Sequence, residues 1–322
     1  MDPRYDVVTV GRAGVDIYPL QVGVGLEHVD TFGKFLGGTA ANVAVAAARH
    51  GLRAALVSRT GDDPFGRFVH AALRDLGVAD RYVTPVADLP TPVTFCEIFP
   101  PDDFPLYFYR RPAAPDMQLT PELLPAELVS RARLFWTIGS ALSEEPSRSA
   151  MLSAYAARGR APLTVLDLDY RPMFWPDRAA ATEQLAAALE HVTVAVGNLD
   201  ECYTAVGERD PHRAAAALLE RGLDLAVVKQ GPRGVLAATR EEVVEVPPIP
   251  VEVVNGLGAG DAFGGGLCVG LLGGWPLADT VRFANAAGAI VASRLECSTA
   301  MPTTSEVEAA VADAARGETV GA

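Results

Sequence analysis

The segment Asn255 to Gly266, NGLGAGDAFGGG, combines a glycine-rich turn with a single carboxylate. The small residues Gly258, Ala259 and Gly260 allow the backbone to turn tightly and to point successive amide hydrogens at one place, where the dipole of a following helix favours negative charge. Such a turn can hold a phosphate. Asp261 at its rim would repel that anion unless it has another task, such as accepting a proton from an attacking hydroxyl. An ordinary aspartate N-cap after a glycine turn is the alternative.

Two earlier segments carry groups suited to a polyhydroxylated ligand. In LGGTAAN, at Leu36 to Asn42, paired glycines allow a ligand to approach the backbone closely, and Asn42 offers both a donor and an acceptor. Asp16 follows the first predicted strand in GRAGVDI, where a carboxylate could accept hydrogen bonds from two hydroxyls. A packed helix start and a solvated loop aspartate are the corresponding alternatives.

Two later segments offer groups for a metal ion and a nucleotide. Asn198 and Glu201, in GNLDE, follow a predicted strand, and a carboxylate there could hold Mg²⁺ through water, as is common beside phosphates. KQGPRG, at Lys229 to Gly234, follows the next predicted strand and forms a glycine-lined turn suited to the phosphates or ribose of a nucleotide. A helix start with acidic residues and a plain hairpin are the alternatives.

Short β-branched runs alternate with longer stretches rich in Ala and Leu, which predicts βαβ units. The predicted strands are Val7 to Val10, Ala54 to Ser58, Leu134 to Ile138, Thr164 to Leu168, Val192 to Val196 and Leu225 to Val228. The predicted helices are Ala40 to His50, Pro64 to Leu76, Pro146 to Ala157, Ala179 to Leu189, Pro211 to Arg221 and the uncharged run Ala262 to Ala278. Apolar strands covered by helices on both faces favour an α/β fold with a mostly parallel central sheet, whose ligands gather at the carboxyl ends of the strands.

Proline breaks this pattern in one region. Nine of the 24 prolines fall between Pro85 and Pro121, interleaved with the short predicted strands Val93 to Ile98 and Leu106 to Tyr109. Proline at that density is excluded from central strands. We interpret residues of about 12–37 and 83–112 as insertions that form a small β-strand lid on one domain spanning residues 1–322. A long surface excursion is the alternative.

Composition and missing motifs exclude several classes of protein. Forty acidic and 27 basic residues give a net charge of −13, so the field repels polyanions and predicts no nucleic-acid partner. No secretion signal or membrane span is visible and the four cysteines are scattered, so we expect a cytoplasmic protein with reduced thiols and no membrane partner. The chain lacks a Walker A lysine motif and has no GxGxxG after its first strand, which excludes an ordinary P-loop kinase and an NAD-dependent dehydrogenase.

The order of these motifs along nearly the whole chain resembles the ribokinase-like, or PfkB, family of carbohydrate kinases. In chain order they are Asp16, GGTAAN, GDDPFG at Gly61 to Gly66, LDLDYRPMFW at Leu166 to Trp175, GNLDE, KQGPRG and GAGD at Gly258 to Asp261. The resemblance implies a ribokinase-like three-layer α/β/α sandwich with a β lid, ATP as the phosphoryl donor, and Mg²⁺.

The same resemblance implies a role for each motif residue. Asp261 would be the base that deprotonates the sugar hydroxyl, with the amides of Gly258, Ala259 and Gly260 as the anion hole. Glu201 would place magnesium. The implied sugar contacts are Asp16, Gly38 and Asn42, and the implied nucleotide contacts are Asn198, Lys229, Gly231, Gly234 and Asn285.

Within the family, GRAGVDIYP, FYRR, GSALSEEPSR and DLDYRPMFW are similar to segments of the kinases that act on a sugar acid, 5-dehydro-2-deoxygluconate in particular. An acidic substrate gives a role to Arg110 and Arg171, because a guanidinium binds a carboxylate bidentately. For each arginine, a solvated side chain or a structural ion pair is the alternative. Kinases for 2-keto-3-deoxygluconate, fructose or ribose on the same fold are the rival functions, as is a nucleotide- or sugar-binding regulator without turnover.

The chain departs from the family at one motif. Relatives read DTxGAGD, whereas Asn255 and Gly256 stand here where Asp and Thr are expected. The missing carboxylate weakens the expectation of a monovalent-cation site. The edges of the predicted lid could pair with a second copy of the chain, which suggests a homodimer through the lid.

Overall fold

The predicted alternation of strands and helices is present in the computed structural model, which describes residues 4–317. The strands are β1 (Val7–Val10), β2 (Gly14–Pro19), β3 (Phe32–Gly37), β4 (Ala54–Gly61), β5 (Val78–Val86), β6 (Val93–Cys96), β7 (Leu106–Tyr109), β8 (Leu134–Ile138), β9 (Thr164–Asp167), β10 (Val194–Asn198), β11 (Leu225–Lys229), β12 (Val235–Ala238) and β13 (Val243–Val246). The helices are α1 (Thr39–Arg49), α2 (Pro64–Asp75), α3 (Ala126–Arg131), α4 (Ser147–Arg158), α5 (Arg178–Leu189), α6 (Leu199–Val206), α7 (Pro211–Glu220), α8 (Ala259–Gly273), α9 (Leu277–Ala292) and α10 (Thr304–Ala315).

The main sheet has nine strands in the order β13-β12-β11-β10-β9-β8-β1-β4-β5. The seven strands from β11 to β5 in that order run parallel, and β12 and β13 add an antiparallel edge. Strands β1, β8 and β9 are fully buried, as their continuous apolar runs require when helices cover both faces. The predicted α/β fold with a mostly parallel central sheet flanked by helices is confirmed.

A second, smaller sheet contains four strands in the order β3-β2-β6-β7. Strands β2 and β6 run parallel, and the other two pairs are antiparallel. The proline-rich region therefore does contain strands that stand apart from the main sheet. Residues 83–86, however, continue β5 beside β4 in the main sheet, so the second predicted lid segment begins too early. Pro85 is tolerated there because β5 is an edge strand.

The predicted buried helix Ala262 to Ala278 is interrupted. Helix α8 ends at Gly273 because Gly274 adopts a left-handed conformation, with φ of 64°, and Pro276 caps the next helix. Among the described residues no helix is long and apolar enough to cross a bilayer. Residues 1–3 and 318–322 of the predicted domain lie outside the described part of the chain.

Polar residues end three neighbouring strands of the main sheet. Asp167 ends β9, Asn198 ends β10 and Lys229 ends β11, and Asn198 lies directly beside Lys229 in the register. Since carboxyl ends of parallel strands meet at one edge, this fold brings together groups that lie far apart in the sequence.

Candidate active site

Helix α8 presents Asp261 in its first turn. Gly258 caps the helix in a left-handed conformation, with φ of 81°, and Ala259 and Gly260 follow as its first two residues. The first amides of a helix have no acceptor within the helix, so they are free to bind an anion. Asn42 of α1 donates from Nδ2 to Oδ2 of Asp261 at 2.8 Å. This hydrogen bond fixes the position of the carboxylate.

Asp261 lies in a cavity between the two sheets. Strands β2, β6 and β7 of the small sheet form one wall, and α1, α8 and the loops at the carboxyl ends of the main strands form the other. The lining residues are Arg12, Asp16, Tyr18, Gly38, Thr39, Asn42, Thr94, Leu106, Phe108, Arg171, Leu257, Gly258, Asp261 and Cys297. The fold thus brings together six residues singled out from the sequence: Asp16, Gly38, Asn42, Arg171, Gly258 and Asp261.

Both aspartates in this cavity have perturbed pKa values. Burial raises the pKa of Asp261 to about 6, against the opposing effect of the hydrogen bond from Asn42. Burial likewise raises the pKa of Asp16 to about 6, and Tyr18 Oη donates to its Oδ2 at 3.1 Å. A carboxylate with a pKa near the working pH is suited to accept a proton during a reaction. The Oδ1 atom of Asn42 is buried without a partner in the described residues, which leaves an acceptor for a ligand hydroxyl.

Two arginines in the cavity share one buried carboxylate. Arg12 Nη2 lies 3.3 Å from Asp169 Oδ2, and Arg171 Nη2 lies 3.1 Å from Asp169 Oδ1. Burial alone would raise the pKa of Asp169, but the two guanidiniums and the hydroxyl of Ser140 hold it below its usual value. This carboxylate therefore stays ionised and holds both arginines in place.

Arg110 does not line this cavity, and its contact with the substrate stays a prediction. Its Nη2 donates to Asp116 Oδ2 at 3.0 Å, and its guanidinium lies over the ring of Phe174 at 4.4 Å. Asp116 is only 2% exposed, so it needs a cationic partner inside the protein. Arg110 instead lines a neighbouring cavity that shares Phe108 with the first one.

Of the residues predicted to contact a nucleotide, Lys229 lies beside the start of α8 and Asn285 lies on α9. Lys229 Nζ is 3.3 Å from the position that a Cβ on Gly260 would occupy, so its charge lies next to the turn. Gly234 packs so closely on the carbonyl of Val246 that no side chain fits. Asn285 Nδ2 donates to the carbonyl of Pro247, the residue after Val246, at 2.9 Å. Gly231 opens the short helix that joins β11 to β12, so KQGPRG is also the hairpin turn of the alternative interpretation.

Glu201 and Asp167 offer hard oxygen ligands near Lys229. Asn198 and Glu201 form a capping box at the start of α6, in which Asn198 N donates to Glu201 Oε2 at 2.7 Å. Burial raises the pKa of Asp167 to about 7, Lys229 opposes this rise, and the nearby charge of Glu201 adds to it. In the described part of the chain no three acidic, His or Cys side chains are placed to hold a metal ion. These residues therefore fit Mg²⁺ only if water and phosphate oxygens supply most of its ligands, which is its usual preference.

Asn255 has both of its polar atoms bound to protein groups. Its Nδ2 donates to Leu295 O at 2.8 Å, and its Oδ1 accepts from Leu257 N at 3.0 Å. A neutral amide used in this way offers a monovalent cation no charge. Its hydrogen bonds instead hold the loop before α8 against the loop after α9.

Sequence reasoning missed several residues of the site. Arg12, Asp167 and Asp169 have no predicted role, although Arg12 lies within GRAGVDI and both aspartates lie within LDLDYRPMFW. A signal was present for Asp167 and Asp169: two carboxylates, two residues apart, stand at the end of an otherwise apolar strand. Nothing in the sequence near Arg12 indicates that it reaches Asp169.

A model of the pfkB family of carbohydrate kinases matches residues 4–304. The chain belongs to this family. The kinase is 31% identical over 317 residues to 5-dehydro-2-deoxygluconokinase from Listeria monocytogenes, with 97% of each chain covered. A double-mutant fructokinase from Vibrio cholerae with fructose, ADP and potassium bound has a TM-score of 0.84 and 27% identity, over 97% of this chain and 99% of its own. A putative ribokinase II from E. coli shares the fold with a TM-score of 0.87 at 23% identity, over 96% and 99% of the two chains.

The pH dependence of the kinase should respond to the Asn42 hydrogen bond. A donor to Asp261 stabilises its ionised form, so Asn42→Ala should raise the pKa of Asp261 above about 6. With Asp261 as the predicted base, kcat/KM depends on its ionised form, so the acidic limb of the profile should move to higher pH, by about one unit for a hydrogen bond to a charged group. A pH profile of kcat/KM measures this shift. An unchanged midpoint would mean that Asp16, whose pKa is also about 6, controls the limb.

Proposed function

We propose that the kinase uses ATP to phosphorylate a hydroxyl of a sugar acid, with 5-dehydro-2-deoxygluconate and its 6-phosphate as the substrate and product. The observation that supports an acidic substrate is the presence of Arg171 in the same cavity as Asp261. The Nε atom of Arg171 is buried without a partner in the described residues, so a donor is free for a carboxylate. The similarity of the chain to the 5-dehydro-2-deoxygluconokinase from Listeria monocytogenes supports the same substrate.

In the proposed reaction the substrate hydroxyl oxygen attacks the γ-phosphorus and its proton passes to the carboxylate of Asp261. The bond between the γ-phosphorus and the bridging oxygen breaks, and ADP leaves. The amides of Gly258, Ala259 and Gly260 would bind the phosphoryl oxygens as charge builds on them. Asn42 holds Asp261 in position. Phosphoryl transfer depends mainly on such positioning and charge neutralisation, and each anion-hole donor contributes about 3 kcal/mol in other enzymes.

The nucleotide and magnesium contacts are part of the same proposal. Asn198, Lys229, Gly231, Gly234 and Asn285 would bind ATP. Glu201, with Asp167, would hold Mg²⁺ through water, and the ion would neutralise charge on the phosphates when bound. The ADP-bound fructokinase of the same fold supports an adenine nucleotide as the ligand. The small sheet would act as a lid that excludes water from the cavity.

Arg171→Leu tests the acidic substrate. We expect KM for the sugar acid to rise by about 100-fold, because the loss of hydrogen bonds to a charged group costs about 3 kcal/mol. KM for fructose or ribose should change by less than about threefold, since neither carries a carboxylate. The measurement is ADP release over a panel of sugars and sugar acids.

Arg53→Leu is a matched control for this substitution. Arg53 also pairs with an aspartate, with Nε 3.0 Å from Asp6 Oδ2, but at the amino end of β1, away from the cavity. Its loss should affect stability and leave every KM unchanged. Equal rises in KM for acids and neutral sugars in Arg171→Leu would remove the proposal. A preference for 2-keto-3-deoxygluconate, fructose or ribose would assign the rival substrate, and no ADP release with any substrate would assign a non-catalytic regulator.

A homodimer through the small sheet remains a prediction. The outer face of this sheet carries an aromatic cluster. The centroid of the Phe95 ring lies 5.8 Å from that of Phe32 and 5.5 Å from that of Tyr109. Tyr109 is 66% exposed and Phe32 is 39% exposed. An exposed apolar patch of this kind suits a protein partner, here a second copy. Sedimentation should show a dimer for the natural chain and a monomer for the double variant Phe32→Ser, Tyr109→Ser; a monomeric natural chain would contradict the prediction.

A further inference from the structure

Arg12 lies in the cavity beside Arg171 and has no role in the mechanism proposed above. It follows β1 and is only 8% exposed. Its Nε donates to Ser140 Oγ at 3.3 Å, and its Nη2 contacts Thr39 Oγ1 and both oxygens of Asp169. These contacts fix the plane of the guanidinium.

We propose that Arg12 is a specificity-determining residue that binds the carboxylate of the substrate together with Arg171, with Asp169 as the positioning residue between them. This inference rests on the proposed function and deepens it, because it identifies which groups select an acid over a neutral sugar.

Each arginine retains a donor that the protein does not use. The hydrogen bonds of Arg12 come from its Nε and Nη2, which leaves Nη1 to a ligand or to solvent, and Nε of Arg171 is buried without a partner among the described residues. Because buried donors are normally paired, the unpaired Nε of Arg171 indicates a ligand acceptor. A carboxylate has two oxygens and can accept from both guanidiniums.

The charges favour the same ligand. One ionised carboxylate, Asp169, lies between two guanidiniums, so the cluster of Arg12, Arg171 and Asp169 carries a net charge of +1. The Arg12 guanidinium lies over the rings of Phe108 at 5.7 Å and Phe174 at 5.6 Å. These rings keep water from its faces, which strengthens its attraction for an anion.

The remaining charged groups of the cavity define the orientation of the substrate. Asp16 and Asp261 also line it, and their carboxylates would repel an acidic group. An acidic substrate would therefore place its carboxylate at Arg12 and Arg171 and a hydroxyl at Asp261. The two arginines would then select the carboxylate of the substrate, and the aspartates would select its hydroxyl.

A matched pair of substrates tests this inference. 5-Dehydrogluconate and L-sorbose share a carbon skeleton and differ in a carboxylate or a hydroxymethyl group at the first carbon. We expect the natural enzyme to prefer the acid by about 100-fold in kcat/KM. In Arg12→Gln this preference should fall to about threefold or less, through loss of activity on the acid, while kcat/KM for L-sorbose changes by less than about threefold.

Two further variants separate recognition from a structural role. Arg12→Lys keeps the charge but lacks the planar fork of the guanidinium, so we expect its preference for the acid over L-sorbose to fall by about tenfold. If Arg12→Gln does not fold, Arg12→Lys alone tests whether Arg12 binds the substrate carboxylate. Arg148→Gln removes a structural arginine that donates to Leu142 O at 2.8 Å and Ser143 O at 2.9 Å in the loop that carries Ser140. Its preference for the acid should equal that of the natural enzyme.

The outcomes distinguish the inference from the proposed function. A natural enzyme that turns over no sugar acid overturns the proposed substrate and, with it, the role of Arg12. A natural enzyme that prefers the acid, combined with unchanged preference in Arg12→Gln and Arg12→Lys, overturns the inference alone. Equal losses on both substrates assign Arg12 a structural role and also overturn it.

Discussion

Asp261→Asn should lower kcat by about a thousandfold and leave the affinity for ATP within about threefold of that of the natural enzyme. The substitution preserves the size of the side chain but removes its ability to accept a proton, and a positioned base contributes about 10² to 10⁴ in rate. Asn42 donates to Asp261 Oδ2 at 2.8 Å, so the position of the carboxylate is already fixed before a substrate binds. Turnover of the best substrate and calorimetric titration with ATP measure the two quantities.

Asp279→Asn is a close control for this experiment. Asp279 is the third residue of α9, as Asp261 is the third residue of α8, but its side chain is 57% exposed and pairs with Arg282. Both variants remove a negative charge from the first turn of a helix, which costs a fraction of a kcal/mol at an exposed site. Only Asp261→Asn should lose activity. If that variant keeps more than about a tenth of the natural kcat, Asp261 is not the base.

Local sequence patterns predict the strands and the polar groups that end them. Because the carboxyl ends of parallel strands meet at one edge of the sheet, groups that end adjacent strands become neighbours. Asn198 and Lys229 illustrate this: each ends its own strand, and the two lie side by side. The same reasoning places Asp261 and the glycine turn, since the amides that bind an anion and the carboxylate follow one another in the chain.

Contacts between distant segments could not be predicted in this way. The hydrogen bond from Arg12 to Asp169 joins residues 157 positions apart, and neither neighbourhood indicates the other. Arg110 pairs with a buried carboxylate of the protein, Asp116, a contact that its own sequence neighbourhood does not indicate. The proline-rich stretch that contains both residues has no regular hydrophobic period, so the sequence does not indicate which way its side chains face.

Gly258→Ala should be the most damaging substitution that removes no chemical group. Gly258 has a φ of 81°, which costs a residue with a side chain about 1–2 kcal/mol. A Cβ there would also collide with Sγ of Cys297, which is buried. Either the start of α8 or the loop that carries Cys297 must move. Because the amides that follow Gly258 form the proposed anion hole, we expect kcat to fall by about 10² to 10³.

Gly274→Ala separates the loss of the anion hole from backbone strain. Gly274 caps the other end of α8 with a φ of 64°, and a Cβ there would meet no atom within 4 Å. Its substitution should therefore carry only the strain of about 1–2 kcal/mol, lower the melting temperature by a few degrees and leave kcat unchanged. Gly258→Ala should show a similar or larger loss of stability together with the loss of kcat. If both variants keep their activity, the turn before Asp261 does not bind the transferred group, and the glycine at its start serves only to begin the helix.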